Sequence, residues 1–263
     1  MQLLLGFIFA SIIAYIAFRA HSLNPSGAIA ATLVGTIVFG LGGLQWAILL
    51  MVFFVTSSAL SRAFKTRKQS LNEKFSKGHE RDAGQVFGNG GLATAFVLVH
   101  ALYPESIAGW VGFAAALAAV NADTWATELG VLNPTPPRLI TDLKKRVEKG
   151  TSGGVSLFGT LASLTGAAVI ALPASLLTDN WSLLPLITLA GLAGSLFDSF
   201  LGATVQAMYY CPADQKETEK HPLHTCGAQT VRIRGWKWLD NDWVNFACSA
   251  AAAAMALLSV LFH

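Results

Sequence analysis

Residues 107–129 have the sequence IAGWVGFAAALAAVNADTWATEL, in which a long apolar run passes into a polar end. In a helix that rises 1.5 Å per residue, this stretch extends about 35 Å, enough to cross the hydrocarbon core of a bilayer. The run contains Asp123, and a carboxylate at membrane depth costs a few kcal/mol or more. We therefore predict a membrane-spanning helix whose acid serves a function.

The composition of the whole chain excludes a water-soluble globule. Of its 263 residues, 53% are hydrophobic and 13% are charged, whereas soluble domains carry about 25% charged residues. So few polar side chains cannot cover a soluble surface. The sequence predicts an all-α polytopic membrane protein that forms a single transmembrane domain over residues 1–263.

Apolar runs of membrane-spanning length divide the chain and predict about eight transmembrane helices. The runs cover residues 3–18, 28–41, 44–60, 85–102, 107–129, 155–177, 183–205 and 242–262. The second run is short, and we expect its helix to begin near Asn24. Long polar loops separate other runs, at residues 61–84, 131–154 and 206–241.

The basic residues indicate the orientation of these helices. All 18 Lys and Arg follow an odd-numbered run, so eight spans place every one of them on the same face. By the positive-inside rule this face is cytoplasmic, the three long loops lie on it, and both termini lie outside. Trp46, Trp110 and Trp181 open the third, fifth and seventh runs, where we expect an aromatic belt at the outer interface.

Two acids lie at equal depth in different spans. Asp123 and Asp198 each sit on the order of 10 Å inside the cytoplasmic end of their helices, and Glu128 lies on an adjoining face. Two facing carboxylates repel, and Mg²⁺ commonly binds one or two carboxylates together with substrate phosphates. Small residues around Asp198 also fit close helix packing, but packing does not account for the acid.

Glycine-rich segments open three of the even-numbered spans, at residues 24–27, 85–91 and 150–154. Free amides and the positive dipole end make a helix N-terminus an anion site, and glycine lets a phosphate approach the backbone. Glycine is also frequent in membrane helices for packing reasons. The recurrence predicts an internal repeat of helix pairs and phosphate sites at the helix starts.

These patterns predict a division of ligands between phosphate and metal. The predicted phosphate or nucleotide ligands are Arg81, Gln85, Gly88, Asn89, Gly90, Gly91, Lys149, Thr151, Ser152, Gly153 and Gly154. The predicted metal ligands are Asp123, Asp198, Glu128, Asp240 and Asp242, of which the first three are also the predicted catalytic residues. For Asp240 and Asp242, helix capping is the alternative. The basic residues 144–146 fit a membrane-surface anchor equally well.

Cysteine and histidine residues share the last cytoplasmic loop. Cys211, His221, His224 and Cys226 offer four ligands for a tetrahedral zinc ion, although their spacing matches no standard zinc finger. A disulfide is disfavoured on the cytoplasmic face. Cys248 lies in the last span, where we expect it to be a packing residue.

The segments 81–91, 122–130, 150–156, 194–203 and 239–245 resemble the integral-membrane phytyl-phosphate kinase family of the vitamin E pathway. The resemblance implies phosphoryl transfer from a nucleoside triphosphate, typically CTP, to a prenyl monophosphate such as phytyl, geranylgeranyl or farnesyl phosphate. It implies Mg²⁺ or Mn²⁺ as cofactor and a plasma-type or thylakoid-type membrane. The acceptor phosphate is mostly dianionic at pH 7, so the reaction needs no strong general base. The chain contains no Walker P-loop pattern.

The expected partners are a lipid-soluble prenyl phosphate, a nucleotide and the bilayer, and no nucleic acid. A secondary transporter is an alternative, because repeats and interrupted helices beside acids also describe transporters. A lipid-phosphate nucleotidyltransferase is a further alternative. The sequence does not indicate an oligomeric state.

Overall fold

A computed structural model describes residues 1–64 and 80–262 of the protein. The prediction of an all-α membrane protein with about eight helices is confirmed. The helices are α1 Gln2–Arg19, α2 Pro25–Ile37, α3 Leu44–Ala63, α4 Ala83–Leu102, α5 Ala108–Gly130, α6 Leu157–Thr178, α7 Leu183–Thr204 and α8 Asn241–Leu261. Part of the loop at 61–84, with Lys65, Arg67, Lys68, Lys74 and Lys77 of the basic face, lies outside the described residues.

Helix α5 is the centre of the bundle. In the described part of the chain, seven helical stretches are long and apolar enough to cross a membrane, and α5 is the remaining long helix. Every residue from Gly109 to Ala122 is buried, because α3, α4, α6, α7 and α8 pack around it. Asn121 donates to the Gly166 carbonyl over 2.7 Å. A helix that contacts protein on all sides can hold polar groups that a lipid-facing helix cannot.

Small residues bring the central helices close together. A Cβ on Gly166 of α6 would lie 2.8 Å from Cβ of Trp125 in α5. On α7, a Cβ on Gly191 would lie 2.8 Å from Cβ of Ala118, and Gly194 touches Ala119 in the same way. The small-residue stripe of α7 therefore packs against α5, and it turns Asp198 toward the same helix that holds Asp123.

The first helices form the edge of the bundle. Helix α1 packs along α2. Helix α2 begins directly after Asn24, as expected, and continues as a π-helical turn over Val38–Gly42. Gly43, with φ of 84°, then turns the chain into α3. The short second run thus spans by adding the π-helical turn to an α-helix of 13 residues.

The expected aromatic belt is wrong for Trp46 and Trp110. These side chains are only 3% and 5% exposed, and their ring centroids lie 5.1 Å apart. Phe113 joins the same cluster. The rings fill the bundle between α3 and α5, so they stabilise packing rather than facing the interface. Trp181 is exposed, as a belt residue would be.

Two small antiparallel sheets occupy segments that the sequence predicts only as polar loops. The first has the order β2-β1-β3, with β1 Arg138–Leu139, β2 Asp142–Arg146 and β3 Gly154–Val155. The second has the order β5-β4-β6, with β4 Met208–Cys211, β5 Lys216–Thr218 and β6 Val231–Arg234. We call this end of the bundle, with residues 20–24, 80–82, 131–156 and 205–240, the loop end.

The helices that begin at the loop end all have a side-chain N-cap. Asn24, Asp82, Ser156 and Asp240 cap α2, α4, α6 and α8 with a side-chain oxygen. The described N-termini of α1, α3, α5 and α7 have no such cap. A capping oxygen satisfies amides that the first helical turn leaves open.

Candidate functional site

A polar cavity of about 300 Å³ opens among the helix ends at the loop end. Residues of α3 to α8 and of the loop segments 131–156 and 205–240 line it. Among the residues that the structure describes, its charged lining residues are the four acids Asp123, Glu128, Asp198 and Glu219 and the two bases Arg81 and Lys149. With more acids than bases, the cavity is suited to bind a cation together with anionic groups.

Asp123 and Asp198 meet in this cavity, from α5 and α7. Asp198 is close enough to Asp123 and Glu219 for their charges to interact. Its Oδ2 atom is buried and has no hydrogen-bond partner among residues 1–64 and 80–262. Such an oxygen beside other carboxylates is costly without a compensating cation. The donor set therefore fits Mg²⁺ or Mn²⁺, which prefer oxygen ligands.

Glu128 lies one turn beyond Asp123 on α5. It is 6% exposed, and its Oε1 accepts a hydrogen bond of 2.7 Å from Ser61 of α3. Its charge also interacts with Arg81. Glu128 therefore lies between Asp123, one of the other acids of the cavity, and the guanidinium of Arg81.

Arg81 presents its guanidinium from the segment before α4. Nη1 donates to Ser58 Oγ over 3.2 Å and Nη2 to Ser57 Oγ over 3.0 Å. The group lies 5.7 Å from the ring centroids of both Phe53 and Phe54, within range of a cation–π interaction. Burial lowers the pKa of Arg81 to about 10, with Glu128 opposing the shift, so the side chain is a cation at neutral pH.

The backbone at Arg81 is fixed by the segment before α2. Arg81 N donates to Ser22 O over 3.0 Å, and Asn24 N donates to Arg81 O over the same distance. A Cβ on Gly27 would lie 2.0 Å from that Arg81 oxygen. Gly27 is therefore needed for this backbone contact, and residues 24–27 position Arg81 instead of lining the cavity themselves.

The glycine-rich loop at 149–154 forms the opposite wall. Gly150 and Gly153 have φ of 77° and 85°, which glycine adopts readily. A Cβ on Gly153 would lie 2.5 Å from Cβ of Ala203, so this loop sits directly on the end of α7. Lys149 Nζ donates to Val131 O over 3.2 Å.

A chain of polar side chains extends this wall to the second sheet. Ser152 Oγ donates to Gln206 Oε1 over 2.6 Å, and Gln206 Nε2 donates to Glu219 Oε1 over 3.1 Å. Gln206 follows Asp198 by eight residues and Gly202 by four, at helical spacing, so the sequence contains a signal for it although α7 ends at Thr204. Glu219 has no such signal, because only the β4–β5 hairpin brings it back to α7.

The start of α4 is not an open anion site. Asp82 Oδ1 accepts from Gln85 N over 2.9 Å, and Gln85 Oε1 accepts from Asp82 N over 3.2 Å. This capping box places a carboxylate where the sequence analysis expects a phosphate. Asn24 and Ser156 likewise cap α2 and α6. An anion in this cavity would therefore meet side chains and the loop at 149–154 instead.

The structure brings most of the predicted ligands to the polar cavity. Those that line it are Asp123, Glu128, Asp198, Arg81, Gln85, Asn89, Lys149, Thr151, Ser152, Gly153 and Gly154. Those that do not line it are Gly88, Gly90, Gly91, Asp240 and Asp242. From the start of α8, Asn241 and Asn245 line it instead.

Packing and capping account for two of the residues outside the cavity. A Cβ on Gly88 would lie 2.7 Å from the Asp242 carbonyl oxygen, so Gly88 lets α4 and α8 touch. Asp240 Oδ1 accepts from the amides of Asp242 and Trp243 over 3.0 and 3.2 Å. Asp240 is thus the N-cap of α8, which is the alternative that the sequence leaves open.

A second, apolar cavity of about 120 Å³ lies between α1, α2, α3 and α4. It shares Arg81, Gln85 and Asn89 with the polar cavity. Phe9 and Ile13 of α1 line it and are also exposed on the outside of the bundle. The sequence analysis does not predict this cavity, because apolar residues in a span look alike whether they face lipid, protein or a void.

The chain is similar to proteins of a plant and to uncharacterised membrane proteins of microorganisms. Protein PGR of Arabidopsis thaliana is 36% identical, over 93% of this chain and 91% of its own length. An uncharacterised membrane protein of Methanocaldococcus jannaschii is 32% identical, over 77% and 82%. Protein VTE6, chloroplastic, of Arabidopsis thaliana is 26% identical, over 91% and 66%. No solved structure matches the chain. Residues 8–253 match one family over nearly the whole chain, and the protein therefore belongs to the integral membrane protein family DUF92.

Proposed function

We propose that the protein is a prenyl-phosphate kinase, which transfers the γ-phosphoryl group of a nucleoside triphosphate, CTP in the first instance, to a prenyl monophosphate. The observation that supports this most directly is the pair of adjoining cavities. One is polar with acids and bases, the other is apolar, and they share Arg81, Gln85 and Asn89. A substrate with a phosphate head and a prenyl tail matches this division. The motifs that resemble phytyl-phosphate kinases and the match to Protein VTE6, chloroplastic agree with it.

In this proposal, each side of the polar cavity has its own task. Asp123, Asp198 and Glu128 would hold Mg²⁺ or Mn²⁺, with Glu219 close to Asp198. A bound divalent ion would offset the negative charge of the phosphates that must approach one another. Arg81 binds the acceptor phosphate at the junction of the two cavities. Lys149 and residues 151–154 bind the triphosphate from the opposite wall.

The reaction depends more on alignment of the two substrates and on neutralisation of their charge than on a general base. An oxygen of the prenyl monophosphate forms a bond to the γ-phosphorus, and the bond from that phosphorus to the β,γ-bridging oxygen breaks. The products are a prenyl diphosphate and a nucleoside diphosphate. Because the acceptor oxygen is already anionic near pH 7, the side chains only have to align it and balance its charge.

The orientation in the membrane forms part of the proposal. The loop end faces the cytoplasm, or the equivalent side of a thylakoid-type membrane, because the Lys and Arg of residues 1–64 and 80–262 lie in it or at the helix ends beside it. Water-soluble nucleotide then enters the polar cavity from the loop end. The prenyl tail reaches the apolar cavity from the bilayer, past Phe9 and Ile13 of α1.

An assay on the purified full chain tests the activity. The protein in detergent is incubated with Mg²⁺, labelled CTP and phytyl or geranylgeranyl monophosphate, and the products are identified by mass spectrometry. We expect prenyl diphosphate and CDP. Asp123→Asn and Asp198→Asn should each lower kcat on the order of 100-fold or more, because each removes one charge from the acidic side. Asp179→Asn, the same change at an exposed position after α6, is the matched control.

Other products would contradict the proposal. Release of pyrophosphate with formation of a nucleotide-activated lipid would identify a nucleotidyltransferase. Nucleotide-independent counterflow of a solute in proteoliposomes, without any diphosphate product, would identify a transporter. If both aspartate variants retain full kinase activity, the acids of α5 and α7 are not the site.

A further inference from the structure

We propose that Cys211, Asp214, His224 and Cys226 form a structural zinc site on the second sheet, separate from the polar cavity. The four side chains each offer one ligand atom, and these atoms all lie within 4.8 Å of one another. Two thiolates, one imidazole and one carboxylate are ligands that zinc binds in tetrahedral sites. The argument for zinc does not rest on the proposed kinase activity.

The distances fit a shared metal better than a covalent bond. Cys211 Sγ and Cys226 Sγ lie 3.5 Å apart, whereas a disulfide joins sulfurs about 2.05 Å apart. Two sulfurs that bind one tetrahedral zinc at about 2.3 Å each lie roughly 3.8 Å from one another. His224 Nδ1 lies 2.8 Å from Asp214 Oδ2. All four donors thus surround one centre, and small side-chain movements would bring them to zinc-ligand distances.

The backbone presents the ligands from two tight turns, as zinc knuckles do. Cys211 ends β4, and Asp214 follows it in the turn that leads to β5. In the second turn, Gly227 N donates to His224 O and His224 N donates to Ala228 O, each over 2.9 Å. Gly227 has φ of 84°, which lets this turn close directly after Cys226.

The structure selects a different fourth ligand from the one that the sequence analysis predicts. The ring of His221 lies 4.7 Å from that of Tyr209 and is not a member of the cluster. Asp214, three residues after Cys211, takes its place. His224 has a side chain only 1% exposed, so the imidazole is enclosed beside Asp214 and the two thiols.

A zinc ion here would brace one wall of the polar cavity. The two turns enclose β5, and Glu219 directly follows β5. Glu219 accepts from Gln206, which lies just before β4. Strand β4 is mostly buried and pairs with both β5 and β6, but residues 212–215 of the first turn are exposed. A metal would fix these turns, and coordination would then add to the Gln206 hydrogen bond in holding Glu219 near Asp198.

Metal analysis of the full-length protein tests the proposal without any activity assay. The chain is purified in detergent without chelators, and its zinc content is measured by mass spectrometry. We expect about one zinc ion per chain. Cys226→Ser and Asp214→Asn should lose most of it. His221→Ala and Cys248→Ala, which change the remaining histidine of the loop and the remaining cysteine of the chain, should keep it.

A second measurement on the unmodified chain covers the case in which a ligand variant fails to fold. Replacement of zinc by Co²⁺ should give the visible spectrum of a tetrahedral site and a thiolate charge-transfer band. A metal-free chain that takes up no Co²⁺ would overturn the proposal. So would a Cys211–Cys226 disulfide found in non-reducing peptide mapping, or zinc that is lost from His221→Ala but kept by Asp214→Asn.

Discussion

The Arg81 side chain precedes α4 and is held in one orientation by side chains of α3. Its two terminal nitrogens donate hydrogen bonds to Ser57 and Ser58 of α3, and Phe53 and Phe54 flank the guanidinium. The planar group is therefore ordered before any ligand arrives, which lowers the entropic cost of binding a phosphate. A lysine lacks the planar shape and has three donors instead of five, so two serine contacts would leave a single N–H for an anion.

We predict that Arg81→Lys lowers kcat/KM for the prenyl monophosphate roughly 10- to 100-fold, the range that corresponds to one hydrogen bond to a charged group. Steady-state kinetics with the acceptor varied at saturating nucleotide measures this change. Arg19→Lys, the same substitution at an exposed position at the end of α1, should leave both constants unaltered. Equal loss in both variants would show that Arg81 has no special role.

How far single residues can be predicted depends on the physical signal that each one leaves. Asp123 and Asp198 stand out because an acid within an apolar run is costly, and both line the cavity. Glycines give a weaker signal, because the sequence does not distinguish a glycine in a helix contact, such as Gly88, from a glycine in a loop, such as Gly153. Glu219 lies in a polar loop, where acids are ordinary, and only the hairpin fold brings it to the site.

At the scale of elements, helix α4 shows how glycine sets a helix contact. The stretch at 88–91 has three glycines, and they differ in their surroundings. A Cβ at Gly88 would meet the backbone of Asp242 in α8 at 2.7 Å. A Cβ at Gly91 would meet only Cβ of Phe87 at 3.8 Å, which is ordinary contact. The first position therefore requires glycine for packing, while the second has room for a side chain.

We predict that Gly88→Ala lowers the stability of the protein by about 1–3 kcal/mol, because α4 and α8 must move apart. Gly91→Ala should leave the stability equal or slightly higher, since alanine favours the helix by up to ~1 kcal/mol. Thermal unfolding in detergent, followed by tryptophan fluorescence, compares the two Tm values. A Tm for Gly88→Ala that equals the value for Gly91→Ala would contradict the close approach of α4 and α8.

Elements differ in how well the sequence specifies them. Apolar runs predict the eight helices, although α5 is less apolar than the seven candidate spans, because a span needs some 20 apolar residues and little else in the chain resembles one. The two small sheets do not follow from the sequence. Strands of two to five residues, such as Gly154–Val155, have too few positions to show an alternating pattern. Their pairing is set by the helix ends between which the loops are held.

At the scale of the whole molecule, one half of the bundle surrounds the polar cavity and the other half encloses the apolar cavity, and the two cavities meet at Arg81. Helices α5 to α8, with α5 buried at their centre, surround the polar cavity, and α5 and α7 provide three of its acids. Helices α1 to α4 enclose the apolar cavity, and α1 at the edge gives it access to the lipid side. Arg81 lies where the halves meet. A cavity suited to water-soluble groups and a cavity suited to apolar groups thus lie on opposite sides of the Arg81 guanidinium.

The apolar cavity should determine which prenyl chains the protein accepts. Ala47 of α3 lines this cavity and lies six residues before Phe53, whose ring contacts Arg81. Along a helix that separation is about 9 Å, roughly the length of two isoprene units. A phenylalanine at position 47 would therefore fill the far part of the cavity and leave the part beside Arg81 open.

We predict that Ala47→Phe lowers kcat/KM for geranylgeranyl phosphate at least ~10-fold relative to geranyl phosphate, because the distal isoprene units lose apolar burial worth about 0.8 kcal/mol per CH₂ group. Competition between the two acceptors in one reaction, resolved by mass spectrometry, measures this ratio directly. Ala59→Phe adds the same ring to the exposed side of α3 and should leave the ratio unaltered. If Ala47→Phe slows both acceptors equally, the tail lies elsewhere, and the polar cavity alone would then account for binding.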